Sequence, residues 1–185
     1  MDTVHHYLVP EQYKGIKKDI SYAAELADTE DADLWFIDLK NKLLDVSHWK
    51  AGDDVDVMFA LTDKQKKLLH RPAHSQDLVQ IYPNRYRVGD IWSYAQVHTI
   101  EYDYDPDADD ESIGLLLCLP CAENDGMTYS PDDTTITIVC ERKGAEICLH
   151  WHLRNFAGPE SADIGAWANV TDEQWLALLK SFAQQ

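Results

Sequence analysis

Apolar and polar positions alternate most regularly between Thr134 and Arg154, TTITIVCERKGAEICLHWHLR. Successive side chains on a strand point to opposite faces, so this stretch predicts two strands. A tight turn at Lys143–Gly144 joins them, because glycine accepts the positive φ that two-residue hairpin turns need. That turn places Arg142 opposite Ala145, Cys140 opposite Ile147, Ile138 opposite Leu149 and Ile136 opposite Trp151. With Leu153 these residues make one apolar face. The other face collects Thr135, Thr137, Val139, Glu141, Glu146, Cys148, His150, His152 and Arg154.

The same patterning extends along the rest of the chain. Residues 11–28 put Tyr13, Ile16, Ile20, Ala23 and Ala27 on one helical face behind Pro10, which predicts an N-terminal helix. Thr29–Asp31 then reads as a polar connection. Leu34–Val46 predicts a short strand running into a helix. Val55–Leu61 predicts a strand, as do Leu78–Tyr82 and Arg85–Val88 around a Pro83-Asn84 turn. Ile91–Tyr104 is the longest predicted strand, with Trp92, Tyr94, Gln96, His98, Ile100, Tyr102 and Tyr104 on one side. Ile113–Leu119 is continuously apolar, as a buried central strand is, and Pro120 ends it. Thr171 and Gln174 form a capping box before a stripe of Trp175, Leu178, Leu179 and Phe182, which predicts a C-terminal helix. The expected fold is α+β in a single domain, residues 1–185. Its sheet is strongly bent, mainly antiparallel and half-barrel-like, packed by an N-terminal and a C-terminal helix.

Composition narrows the functional classes. At 185 residues and 45% hydrophobic, the chain can bury a core. Its apolar runs are too short to cross a membrane as a helix, and its start lacks a basic segment followed by an apolar one. A cytoplasmic location is therefore expected. The net charge is −17, and residues 88–141 hold thirteen acidic side chains with no Lys or Arg. Such a zone repels nucleic acid and anionic membranes and attracts a basic protein surface.

Candidate chemistry gathers on the polar hairpin face. His150, His152 and Arg154 are the candidate catalytic residues, with His48 added from the loop that follows Asp45. Trp49 is the candidate wall of a pocket, and His98 a further contributor. Asp103, Asp105 and Asp107 are candidate binding carboxylates. Their spacing fails the EF-hand pattern, since position six is Ala108 and position twelve Gly114. Two histidines at i and i+2 can share a metal, but no further ligands complete a set, so no metal is assigned. Cys118 and Cys121 form a CxxC followed by turn residues rather than a helix, and Cys140 and Cys148 fall on opposite hairpin faces. No phosphate-binding loop is present, and no cofactor is implied. The favoured expectation is an acidic interaction module that engages a basic protein partner, as an inhibitor or immunity protein does. The alternatives are an acid–base or metal-assisted enzyme using His150, His152 and Arg154, and a small-molecule carrier with an apolar cavity under the C-terminal helix.

Overall fold

The structure is a computed structural model and describes residues 6–52, 57–83, 94–123, 126–158 and 162–184. Its strands are β1 (Ile16–Glu25), β2 (Val57–Thr62), β3 (Leu78–Pro83), β4 (Tyr94–Asp105), β5 (Asp110–Cys118), β6 (Pro120–Glu123), β7 (Gly126–Tyr129), β8 (Thr135–Lys143) and β9 (Glu146–Phe156). The helices are α1 (Thr29–Leu44) and α2 (Asp172–Phe182). Seven strands form one antiparallel sheet in the order β1-β9-β8-β5-β4-β3-β2, while β6 and β7 pair separately as a small ribbon. The order has two ends, so the sheet is open. The fold is thus α+β with a large antiparallel sheet and two helices.

The predicted helix over residues 11–28 is instead β1. Ile16 and Ile20 satisfy a four-residue spacing, but so does period two: Lys18, Ile20, Tyr22 and Ala24 are half-buried while Lys17, Asp19, Ser21 and Ala23 face out. Gly15 opens the strand at φ +65°, and a Cβ there would lie 2.2 Å from the Phe156 carbonyl oxygen. The helix starts later, where Asp28 caps the Asp31 amide at 2.9 Å. The supposed connection Thr29–Asp31 is therefore the first turn of α1. The short strand expected at the start of Leu34–Val46 is helix as well, with Ala32, Phe36, Leu39 and Leu43 buried along one stripe.

The long hairpin forms between β8 and β9, but its turn lies one residue later, at Gly144–Ala145. Lys143 pairs with Glu146, Cys140 with Leu149, Ile138 with Trp151 and Val139 with His150. Gly144 takes φ +56° as the first central residue, the arrangement of a Gly-X turn. Pairing is thus offset by two residues from the expected register, and an even offset leaves each side chain on its expected face. In β4 the even-numbered face breaks at His98, where a bulge shifts the register between Val97 and Thr99. Before the bulge Ala95 and Val97 face the core; after it Ile100, the partner of Leu115, packs against it. Residues 84–93, which include the predicted strand Arg85–Val88 and Trp92, lie outside the described residues.

β5 is central, between β4 and β8, and is buried along almost its whole length. Both helices cover one face. There Trp151 stacks on Trp175 at 5.1 Å, and Phe59 reaches Trp49 at 5.3 Å and Trp167 at 6.0 Å. Each such side chain contributes about 1.5–3 kcal/mol by burial, before entropy. The cavity lined by Trp151, Trp167 and Trp175 under α2 measures about 30 Å³, room for one water, which withdraws support from a carrier cavity at that place. Among the described residues no helix is long and apolar enough to cross a membrane.

Candidate functional site

Strand β9 sends His150, His152 and Arg154 to the sheet face away from the helices. Register brings Ser21 and Asp19 of β1 beside His150 and His152, and Val139 and Thr137 of β8 on their other side. His152 Nδ1 lies 2.6 Å from Asp19 Oδ1, and Arg154 Nη1 lies 2.7 Å from the same oxygen. His150 Nδ1 is 3.0 Å from the Ser21 hydroxyl, and its Nε2 is 3.5 Å from Glu141 Oε2. The two imidazoles stack with centroids 6.1 Å apart and planes 13° off parallel.

Burial sets the chemistry of this ladder. It holds the His152 imidazolium below its ordinary pKa, against the opposing pull of Asp19. Burial alone would raise the Asp19 carboxyl, but hydrogen bonds from His152 and Arg154 outweigh it and hold the group low. A neutral His152 therefore donates Nδ1–H to Asp19 and keeps its lone pair on Nε2. Among the described residues, Glu141 Oε1 and the hydroxyls of Thr135 and Thr137 are buried with no hydrogen-bond partner. Among the described residues no three or more His, Cys, Asp or Glu are placed to hold a metal ion.

The other predicted site residues lie elsewhere. His48 ends a 3₁₀ turn on the helix side, 2.8 Å from Asp45, next to Lys42, Lys50 and Ser181. His98 is the bulged residue of β4, its Nδ1 2.7 Å from the Thr99 hydroxyl. Strand β4 is three strands from β9, roughly 14 Å at ordinary strand spacing, so these histidines do not converge. Trp49 is not a pocket wall: it is buried, donates its indole N–H to the Leu43 carbonyl at 3.0 Å, and packs on Phe59 and Phe182. Asp103, Asp105 and Asp107 are exposed at the β4–β5 tip, where Asp105 accepts the amides of Asp107 and Ala108. Burial pushes the Cys118 thiol up to about 12 and the Cys148 thiol to about 11, which leaves both unreactive near neutrality.

One cluster carried no role in the sequence reading. Arg142 is 2% exposed, and its guanidinium lies 3.0 Å from Asp109, 3.6 Å from Asp33 of α1 and 3.6 Å from Glu111. Buried Glu111 also holds Lys40 and accepts the Tyr102 hydroxyl at 2.7 Å. Burial and this hydrogen bond push the Tyr102 phenol up to about 12. The signal was an arginine on the core parity of β8, which needs a carboxylate partner on the core parity of a neighbouring strand. In the basic stretch after Thr62, Arg71 closes a two-pronged pair on Asp77, at 2.6 and 2.9 Å.

Neither a family model nor a curated protein matches the chain. Among solved structures it is similar to a Staphylococcus epidermidis protein determined by solution NMR, at 13% identity over 95% of this chain and 96% of that one. The TM-score is 0.34, too low to bear on either fold or function.

Proposed function

We propose that the protein is an interaction module that engages a basic protein partner through the carboxylate-rich end of its sheet. One observation carries this reading. The β4–β5 tip presents Asp103, Asp105 and Asp107 in the open, while Lys40 and Arg142, two of the cations near it, are held by Glu111, Asp33 and Asp109. Exposed carboxylates steer an oppositely charged surface and speed its encounter. The test compares wild type with a variant in which Asp103, Asp105 and Asp107 are all changed to Asn, each used to capture proteins from cells that make this chain. Wild type is expected to enrich a basic protein that the variant does not, and to release it as salt rises from roughly 0.1 to 1 M. Equal capture by the variant, or no basic protein bound at low salt, overturns the proposal.

A second reading has its own observation, the carboxylate-oriented His152 beside His150 and Ser21. In it His152 Nε2 accepts a proton from a bound substrate and Arg154 holds an anionic group of that substrate. Metal analysis and a hydrolase screen on wild type, His150→Ala and His152→Ala decide it. No metal and no turnover that depends on either histidine sinks it.

A further inference from the structure

Three turns meet at one end of the molecule. Leu26 donates its amide to the Ala145 carbonyl in the β8–β9 turn at 2.9 Å, and Gly144 donates to the Asp109 carbonyl in the β4–β5 turn at 3.2 Å. Helix α1 begins there. Its Asp33, Ile37 and Lys40, four and three residues apart, form a stripe beside the hairpin, as shown by Asp33 against Arg142 and the Lys40 ammonium 4.5 Å from the Tyr102 ring centre. Leu34 is one helical step outward from Ile37. Tyr104 follows Tyr102 on the same face of β4.

Leu34 is 62% exposed, Ile37 47%, Tyr102 53% and Tyr104 51%, and they account for four of the nine exposed large hydrophobic side chains among the described residues. Exposed apolar groups scattered singly need no explanation, but a gathering rimmed by polar groups marks a binding surface. Here the rim is acidic: Asp33 and Asp109, which share Arg142, and Asp38, which pairs with Lys42, have side chains about half exposed, and the exposed Asp105 and Asp107 stand at the adjoining β4–β5 tip. We infer that this patch is the surface on which the basic partner docks, with an apolar segment over Leu34, Ile37 and Tyr104 and its lysines or arginines against the surrounding carboxylates. The inference rests on the proposed function and names its site.

Two features favour that occupant. A second copy of this chain would bring another −17 charge against the same rim, so charge opposes self-association. Tyr102 already carries one cation over its ring, and the exposed Tyr104 beside it offers a partner arginine the same kind of contact. The patch is also held in place before binding. Arg142 and Lys40 tie α1 to β5 and β8 through Asp33 and Glu111, and Glu111 fixes the Tyr102 hydroxyl, so little ordering remains to be done on contact.

The experiment places a photo-crosslinking side chain at position 34, 104 or, as a control, 58, since Met58 is equally exposed on distant β2. Positions 34 and 104 are expected to trap the same basic protein, and position 58 none. In parallel, Ile37→Ala and Tyr104→Ala should each weaken capture on the order of tenfold, Met58→Ala should leave it unchanged, and all three should melt like wild type. Crosslinking to a second copy, or equal trapping at position 58, overturns the inference. Undiminished capture by Ile37→Ala and Tyr104→Ala overturns the patch while leaving the charge-driven module standing. Absence of any basic partner removes both.

Discussion

At Gly15 a single hydrogen in place of a side chain lets β1 approach the end of β9. A Cβ would press against the Phe156 carbonyl oxygen at 2.2 Å, and φ +65° is strained for any other residue. Gly15→Ala is expected to lower stability by about 1–3 kcal/mol in urea unfolding, the usual cost of forced backbone strain. Arg142 makes the opposite case, a charge placed where a strand pattern calls for an apolar residue. Arg142→Met leaves Glu111 buried with Lys40 as its one cation and the Tyr102 hydroxyl, so a loss of about 3 kcal/mol is expected, partly restored when Glu111→Leu is added. If the double variant is no more stable than the single one, the two residues are not coupled. Individual side chains of the candidate ladder could be read from the sequence because strand parity alone assigns His150, His152 and Arg154 to one face. Their partners Asp19 and Ser21 could not, since they come from a segment whose spacing suits a helix equally well.

Elements were readable where local chemistry and periodicity agree. Helix α2 begins with the capping box expected of it: the Gln174 amide donates to the Thr171 hydroxyl at 3.2 Å, and the Thr171 amide to the Gln174 side chain at 2.9 Å. Thr171→Ala should cost about 1 kcal/mol, measured as a lower urea midpoint with an unchanged slope. The β8–β9 hairpin was readable in its faces but not in its turn, because Gly144 suits either central position of a two-residue loop. The His98 bulge gave no warning, since one extra residue in a strand has no mark in an apolar–polar pattern. Helix α1 was missed at its start because Asp28, the cap, lay within the segment assigned to another helix.

For the molecule as a whole, acid and salt should act in recognisable directions. Hydrogen bonds hold Asp19 and Asp77 below the ordinary carboxyl range against the pull of burial, and burial holds His152 below the ordinary imidazole value. In each case the unfolded chain binds more protons, so stability falls with falling pH. The His152 part should fade below about pH 6.5, and the Asp19 and Asp77 parts below about pH 4. Melting curves of His152→Gln should lose the first of these slopes; an unchanged slope would refute the assignment. With a net charge of −17, added salt should raise the melting temperature by screening self-repulsion, while it weakens the proposed complex. Two opposite responses to one variable separate stability from recognition. The sheet order was the least readable property, because nothing in the N-terminal segment announces that it will pair with the last strand.

That pairing has a consequence for how the chain matures on the ribosome. Asp19 and His152 are 133 positions apart, and the partner strand is made only after β2 to β8. Ser21 and Asp19 leave the exit tunnel before β9 is made and wait without the imidazoles they will meet. A nascent chain released before residue 152 can build the meander from β2 to β5 yet holds no imidazole ladder. Truncation series should therefore acquire protection of the β1 amides abruptly, only once the final hairpin is complete.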